Sequence, residues 1–355
     1  MRIFWDTTKT GNARVQSGLN RVSRKLQEAC SDLGTEIIPV VWESKKKTFV
    51  SASEKSILRL EKRDIFLTSE LFSENERIGV DEWIEDCPAK TAAIFHDAIP
   101  LKYPEFTWPK SVARHPFYMK LLIRFDIVIA NSESSANELK DYWNWLGIEN
   151  QPPVSPIPLG ADFQGEKRPA QEYECSTPLK ILMVGIIEPR KNYDTALDAF
   201  ELLDEQKILA ELCIVGRTNP HFGKPIEKRI KAMIKRRLPL RYFPKASDEL
   251  LRQLYSETHL TLFPSKAEGN GIPIMESLWF GKPAIANGIP PHLEHAKRGG
   301  GVKIIDQIDA AKLADCIESF SSNPSDLEEL AKTAAKHPVP SWKQSAECLL
   351  AILKN

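Results

Sequence analysis

The sequence predicts an α/β protein built from two doubly wound domains in series. Short apolar runs alternate with amphipathic helical patterns along the chain, which is typical of a parallel sheet with helices on both faces. The 355 residues are enough for two domains, each of roughly 150 to 200 residues. A polar segment without periodicity interrupts the alternation at residues 163–178, and we interpret it as a linker.

The first domain is predicted to span residues 1–162. Its strands are expected at residues 2–6, 36–42, 64–68, 92–95, 127–130 and 155–158. The helix between the first two strands has the clearest limits, because Ser17 is a suitable N-cap and Gly34 can close the helix.

The second domain is predicted to span residues 179–340. Strands are expected at residues 179–184, 211–215, 241–243, 260–263, 283–286 and 302–305, and helices at 193–203, 225–235, 248–256 and 272–279. Three helices, at residues 310–320, 326–335 and 342–353, finish the chain, and the last of them, within residues 341–355, is assigned to the first domain. Ligands of doubly wound sheets bind outside the carboxyl ends of the strands, so two such domains predict a site in a cleft between them.

Composition and charge exclude several classes of function. The 48 basic residues balance the 48 acidic ones, which leaves no field to attract nucleic acid. The six cysteines are scattered without a CxxC pair, as expected for reduced thiols of a cytoplasmic protein, most of them in the core. No apolar run is long enough for a signal peptide or a spanning helix, so membrane contact is expected to be peripheral at most.

The loop and helix at residues 266–277 carry two acids, Glu268 and Glu276, around two glycines. Pro273 suits the first turn of the predicted helix, and free backbone N–H groups at such a start favour a phosphate. The two carboxylates are then placed to reach opposite ends of a ligand whose middle is a diphosphate, the layout of a nucleotide sugar. The alternative is a loop acid and an unrelated acid on the helix surface.

Two cations follow the strand that ends at Gly185. Arg190 and Lys191 lie at the start of the next helix, again at the carboxyl edge of the predicted sheet. Such a pair neutralises a diphosphate, arginine by a forked contact and lysine as a point charge. The alternative is an ordinary solvated pair.

These motifs resemble those of the retaining GT-B glycosyltransferases of family 4. Glu268-Gly269-Asn270-Gly271-Ile272-Pro273 through Glu276 resembles the family's E-x7-E signature, and residues 187–192 resemble its second-domain phosphate motif. Further segments are similar to the glycine turn (17–22), the cleft-histidine strand (95–100), the next strand end (131–135), the interdomain segment (158–162), a later strand (281–286), the turn beyond it (292–294 with 299–301) and the last helix (341–346). The ordered set runs nearly from end to end.

The resemblance implies a GT-B fold, with two Rossmann-like domains facing a central cleft and the C-terminal helix crossing back to the first domain. It also implies donor contacts. Glu276 would hold the ribose hydroxyls and Glu268 the donor sugar, while Arg190 and Lys191 would bind the diphosphate. The N–H groups of Gly271 and Ile272 would assist, and Gly185 and Asn270 would belong to the same donor site.

In the first domain the resemblance implies two further contacts. His96 would lie beside the face of the transferred sugar, and Gly18 would let the first helix approach the substrate closely, since it has no Cβ. Asp97 is a second choice for a catalytic side chain, with the alternative that it caps a turn.

The implied activity is transfer of a hexose from a nucleotide sugar, GDP-mannose or a UDP-hexose, to a glycan or lipid-linked saccharide in surface polysaccharide synthesis. Retention would follow from same-face attack, in which a leaving phosphate oxygen accepts the acceptor's proton. No DxD-type motif occurs in the segments that form the cleft, so neither a metal nor another cofactor is expected.

Three alternatives stay open. A glycan phosphorylase shares this architecture, although no segment demands pyridoxal phosphate. A non-catalytic subunit that binds a nucleotide sugar or a partner is the second alternative, because Asn270 stands where the family usually carries an aromatic residue. The basic and apolar residues at positions 109–125 either rest on an anionic membrane or form a helix packed on the first sheet.

Overall fold

The computed structural model describes residues 2–12, 18–163, 167–169 and 173–354. It divides into two compact units. Unit 1 consists of Met1–Gly160 and Pro340–Asn355, and unit 2 of Ala161–Val339. Ser17, the predicted N-cap of the first helix, lies outside the described residues.

Unit 1 alternates strands and helices over its first 156 residues. Its strands are β1 Arg2–Asp6, β2 Glu36–Glu43, β3 Thr48–Ser51, β4 Ile65–Thr68, β5 Lys90–Phe95, β6 Ile127–Ala130 and β7 Val154–Pro156. Its helices are α1 Gly18–Asp32, α2 Val80–Glu85, α3 Ile99–Lys102, α4 Pro109–Leu121 and α5 Glu133–Trp145. The sheet order is β3-β2-β1-β4-β5-β6-β7, and all pairs are parallel except β2 with β3.

The antiparallel edge strand β3 was not predicted. It follows β2 through an exposed turn that contains Lys45, Lys46 and Lys47, and its Phe49 ring packs at 5.1 Å from the ring of Trp42. Its two apolar residues, Phe49 and Val50, are adjacent and both buried, so the strand lacks the period-2 alternation that would predict it.

Unit 2 repeats the plan with a fully parallel sheet. Its strands are β8 Leu179–Val184, β9 Ala210–Val215, β10 Leu240–Phe243, β11 Leu260–Phe263, β12 Ala284–Asn287 and β13 Val302–Ile305. Its helices are α6 Tyr193–Glu205, α7 Lys224–Lys235, α8 Asp248–Glu257, α9 Ile272–Trp279, α10 Pro290–Gly299, α11 Ala310–Ser322 and α12 Pro324–Lys336. The order β10-β9-β8-β11-β12-β13 reverses direction between β8 and β11, which is where doubly wound sheets bind their ligands.

Helix α10 corrects the prediction of a turn at residues 292–294. The helix starts with two prolines and ends before Gly300. Prolines are compatible with the first helical turn because their missing N–H groups have no intrahelical partner there. The turn was implied by the family resemblance of residues 292–294 and 299–301, and not by a turn pattern in the residues themselves.

The last helix, α13 Trp342–Lys354, belongs to unit 1. It packs against α1 and buries Trp342, Leu349 and Leu353 among other residues. Gly160 makes this packing possible, because a Cβ at that position would lie 2.3 Å from the backbone nitrogen of Trp342.

Helix α4 occupies most of the amphipathic segment at residues 109–125. Its Tyr118, Met119 and Leu121 are buried in the core of unit 1, as the packed alternative expects, while Phe117 is 54% exposed. None of the described helices combines the length and the apolar character needed to cross a bilayer.

The cysteines are less buried than predicted. All six are free thiols, and of these Cys30 and Cys213 are buried, whereas Cys348 is exposed and the other three are half-buried.

Segment 163–178 was predicted as a linker, and its described residues pack on unit 2. The ring of Phe163 lies 5.6 Å from that of Phe280. The Arg168 guanidinium donates to the carbonyls of Leu278 and Trp279 at the end of α9, at 2.5 and 3.1 Å. It also donates to the carbonyls of Ala334 and His337 at the end of α12, both at 2.7 Å. One side chain thus brings a charged donor to carbonyls at the C-terminal ends of two helices, three of which also accept a backbone N–H, and it complements both helix dipoles.

Replacing Arg168 with methionine is expected to lower the free energy of unfolding by about 2 to 4 kcal/mol, since several carbonyls lose a charged donor. Urea denaturation followed by circular dichroism measures this loss. Arg236→Met is the matched control, because Arg236 makes an exposed ion pair with Glu201 and should cost less than about 1 kcal/mol. Equal losses in the two variants would contradict the capping role of Arg168.

Candidate active site

An ion cluster joins the carboxyl ends of β8 and β11. The chain leaves β8 at Val184 and forms a short 3-10 turn, Pro189–Lys191, that carries Arg190 and Lys191. The loop after β11 carries Glu268. Arg190 Nη1 donates to Glu268 Oε2 at 2.9 Å, and Lys191 Nζ donates to Oε1 at 2.5 Å. The two motifs singled out in the sequence therefore meet, although 77 positions separate Lys191 from Glu268.

The cations are not the ordinary solvated pair of the alternative interpretation. Arg190 Nε donates to Glu188 Oε1 at 2.9 Å, and its Nη1 donates to the carbonyl of Ala267 at 2.8 Å. Asn219 Nδ2 in turn donates to Glu188 Oε2 at 2.9 Å. The charges of two cations and two carboxylates cancel, and the side chains hold one another in place.

Burial and charge act in opposite directions on this cluster. Burial raises the pKa of the Glu268 carboxyl, but the charges of Lys191 and Arg190 outweigh burial and hold that pKa well below its ordinary value. Burial lowers the pKa of the Lys191 ammonium, and Glu268 opposes that shift. Glu268 is thus a carboxylate at neutral pH.

Gly185 and Gly216 lie where the ends of β8 and β9 come close together. A Cβ on Gly216, which follows β9, would lie 1.7 Å from the carbonyl oxygen of Gly185. That same oxygen accepts a hydrogen bond from the Tyr193 hydroxyl at 2.8 Å. A Cβ on Gly185 itself would lie 3.3 Å from Lys191 Cε. Gly185 therefore leaves room for the lysine, and Gly216 is a structural requirement that the sequence analysis did not identify.

The start of α9 depends on Gly271. Its φ is +90°, a conformation that favours glycine, and Ile272 begins the helix directly after it. Asn270 is buried, and its backbone oxygen accepts a hydrogen bond from His295 Nε2 at 2.8 Å. Helix α10 thus holds the loop that leads into α9.

Glu276 lies inside α9 and is 0% exposed, so the alternative of a surface acid is wrong. The hydroxyl of Tyr255 on α8 donates to Glu276 Oε2 at 3.0 Å, and its ring stacks at 5.3 Å on that of Phe280. Tyr255 was not predicted, because no spacing in the sequence relates it to Glu276.

His292 on α10 is a further neighbour of the cluster. Its Nδ1 donates to the carbonyl of Asn287 at 2.9 Å. The side-chain amide of Asn287 donates to the carbonyl of Ser265 at 3.0 Å. Burial lowers the pKa of His292 to about 4, against an opposing effect of the Glu268 charge. His292 is therefore neutral at pH 7, with its proton on Nδ1.

Unit 1 contains the other predicted residues. His96 Nε2 donates to the carbonyl of Ser69 at 3.0 Å, and burial lowers its pKa to about 4. Asp97 Oδ1 accepts the amide of Ile99 at 3.0 Å, so the turn-capping alternative describes its contact. Gly18 begins α1 and is exposed.

Unit 1 also holds a buried ion network that sequence reasoning missed. Arg77, which is 2% exposed, donates to Asp6 Oδ2 at 2.6 Å and to Glu70 Oε2 at 2.5 Å. Glu70 Oε1 accepts the backbone amides of Lys9 and Thr10 at 2.5 and 2.8 Å. The network therefore fixes the loop that leaves β1. The only sequence signal was a charged residue, Asp6, at the end of the buried strand β1.

Among the described residues, no group of three or more His, Cys, Asp and Glu side chains is placed to hold a metal ion.

Residues 166–337 match the family model of the glycosyl transferases group 1, which confirms the resemblance drawn from the sequence. The serotype-specific mannosyltransferase WbdA of Escherichia coli is 28% identical over 275 residues, which cover 72% of this chain and 32% of that protein. The chain thus spans about a third of the length of this relative.

Solved structures confirm the GT-B fold. Sucrose-phosphate synthase from Thermosynechococcus elongatus superposes with a TM-score of 0.74 at 15% identity, covering 100% of this chain and 98% of that one. The Anabaena protein HepE, solved with UDP and glucose, superposes with a TM-score of 0.71 at 14% identity, covering 100% of this chain and 99% of that one.

Proposed function

We propose that this chain, whose residues 166–337 match the glycosyl transferases group 1, is a retaining glycosyltransferase that uses a nucleotide-sugar donor. The observation that carries the proposal is the meeting of Arg190, Lys191 and Glu268 beside the start of α9. Cations and a helix N-terminus together favour a diphosphate. The donor would be GDP-mannose or a UDP-hexose, since one relative is named a mannosyltransferase and one structural neighbour was solved with UDP and glucose.

Each acid has a distinct proposed role. Glu276, buried in α9 and oriented by Tyr255, would accept the ribose hydroxyls. Glu268 would accept from a hydroxyl of the sugar while it orients both cations. The roles differ because Glu268 is held between two cations, whereas the Glu276 carboxylate is fixed by a neutral hydroxyl.

Departure of a nucleoside diphosphate builds negative charge on its phosphate oxygens. Cations and hydrogen-bond donors that already face these oxygens stabilise the transition state more than the ground state. Arg190 and Lys191 would supply that stabilisation without a metal or another cofactor. The acceptor would attack from the face that the diphosphate leaves, and a leaving oxygen would take its proton.

The acceptor is proposed to be a glycan or lipid-linked saccharide of surface polysaccharide synthesis, by analogy with the named mannosyltransferase. His96 and Gly18 remain the proposed substrate contacts of unit 1. The other candidate, a non-catalytic subunit that binds a nucleotide sugar, is favoured by Asn270 at the aromatic position of the motif.

A thermal-shift screen against GDP, UDP, ADP and dTDP tests donor binding. One nucleotide at about 100 times its Kd should stabilise the protein by about 2.7 kcal/mol and raise Tm by several degrees. Glu276→Gln should lose most of that rise, because an amide is a weaker acceptor for the ribose hydroxyls.

Glu249→Gln is the matched control, since Glu249 is an exposed residue of α8, and it should keep the full shift. No shift with any of the four nucleotides contradicts the proposed donor class. A nucleotide shift without release of nucleoside diphosphate from the matching sugar donor, with acceptor present, supports the non-catalytic subunit.

A further inference from the structure

His292 belongs to neither motif, yet its imidazole is fixed beside the ion cluster. The side chain is 1% exposed. Its Nδ1 lies 2.9 Å from the carbonyl oxygen of Asn287, and a carbonyl can only accept, so Nδ1 carries the proton. Nε2 is then a lone-pair acceptor, and it makes no hydrogen bond with any residue that the structure describes.

The ring edge that carries Nε2 faces the start of α9. Cδ2, the carbon bonded to Nε2, lies 3.6 Å from the position that a Cβ on Gly271 would take. The charges of Glu268 and Lys191 both act on the ring, which places it within electrostatic range of the cluster. This nitrogen, on a buried side chain and without a hydrogen bond to the described residues, is thus directed at the turn where an anion is expected.

The side chains of the cluster carry no net positive charge to balance a diphosphate, and a protonated His292 would supply one. Arg190 and Lys191 are offset by Glu188 and Glu268, so the side chains present no net positive charge to an entering diphosphate. The helix N-terminus contributes only about half a charge. A diphosphate carries two or more negative charges, and a further cation beside it would be strongly favoured.

We propose that His292 is a further donor-contacting residue, which takes up a proton on Nε2 when the diphosphate binds and donates a hydrogen bond through that N–H group to a phosphate oxygen. This inference rests on the proposed function. The proton comes from solvent, an N–H bond forms at Nε2, and no other bond changes. The residue becomes a cation only when the donor or the nucleoside diphosphate is present.

The direction of the pH dependence follows from the groups around the ring. Burial holds the pKa of the free residue at about 4, with Glu268 raising it and Lys191 lowering it. His295, one turn further along α10, is itself buried, and its pKa is lowered to about 3. An anion within hydrogen-bonding distance raises a pKa by about 1 to 3 units per charge. Binding therefore tightens as pH falls between the pKa of the complex and about 4.

Isothermal titration with GDP or UDP, whichever raises Tm more, measures the proton directly. The observed enthalpy is compared at about pH 6 in two buffers of different ionisation enthalpy. The wild-type protein should take up about one proton more than His292→Gln, because glutamine offers an uncharged N–H group and cannot titrate. Protons that the nucleotide itself gains or loses contribute equally to the wild-type and variant experiments, so they cancel in the difference between the two proton uptakes. His292→Gln should also bind about tenfold more weakly at this pH.

Two further variants guard the interpretation. His292→Asn, whose amide can still donate to the Asn287 carbonyl, should show the same loss of proton uptake if His292→Gln does not fold. His259→Gln is the control, because His259 is another buried histidine of low pKa that is held by Lys180 and Ser176, and it should keep the wild-type uptake.

The outcomes separate the two claims. Equal proton uptake by the wild type and both His292 variants, with the nucleotide still bound, overturns the role of His292 and leaves the proposed function intact. No binding of any nucleotide by the wild-type protein overturns both.

Discussion

Replacing Arg190 with alanine is expected to slow release of nucleoside diphosphate from the sugar donor by about 100- to 1000-fold, the usual effect of removing one donor that stabilises developing charge. Arg190 contacts Glu268, Glu188 and the Ala267 carbonyl at once. Its loss would remove a phosphate ligand and also release the carboxylate that orients Lys191. A discontinuous assay of the released nucleotide, at saturating donor, measures the rate.

Two variants control for unfolding and for charge. Arg190→Lys keeps the charge without the forked geometry and should recover part of the rate. Arg229→Ala removes an arginine of the same unit that makes surface ion pairs with Asp194 and Glu201, and it should keep the wild-type rate. A wild-type rate for Arg190→Ala, with an unchanged circular dichroism spectrum, would remove Arg190 from the site.

The sequence predicted best those elements whose ends are marked by glycine or proline, or whose residues form a continuous apolar run. Helix α9 runs from Ile272 to Trp279 as predicted, because Gly271 and Pro273 mark its start. Strands such as β8 and β11 match their predicted limits, since buried parallel strands are continuous apolar runs. Strand β3 was missed because its two apolar residues, Phe49 and Val50, are adjacent and give no period-2 alternation. Helix α10 was missed because the family resemblance implied a turn there.

The site was predictable as a set of residues but not as a set of contacts. The motifs placed Arg190, Lys191 and Glu268 at the carboxyl edge of the sheet, where the topology brings them together. That Glu268 would pair with both cations depends on distances across 77 positions, which no spacing encodes. Tyr255 and His292 act through packing on neighbouring helices, and nothing in their own sequence neighbourhood marks them.

The stability of unit 1 depends on the guanidinium of Arg77. Burial raises the pKa of Glu70, the Asp6 charge raises it further, and Arg77 opposes both. The guanidinium also lies 3.8 Å over the ring of Phe72. Removing it would leave two carboxylates buried without a cation, and such a charge costs more than the ion pair itself contributes.

Arg77→Leu is therefore expected to lower the free energy of unfolding by about 3 to 5 kcal/mol at pH 7, as measured by urea denaturation. The difference in the free energy of unfolding between wild type and variant should become smaller as pH falls towards 5. Without Arg77 the pKa of Glu70 in the folded state rises further above its unfolded value, so the folded variant binds a proton that the unfolded chain does not. Glu70→Gln should restore part of the loss in the double variant, since the amide carries no charge.

Arg63→Leu, which removes an exposed pair with Glu61, should cost less than about 1 kcal/mol at either pH. A deficit that is independent of pH would mean that lost packing on Phe72, rather than uncompensated charge, sets the cost.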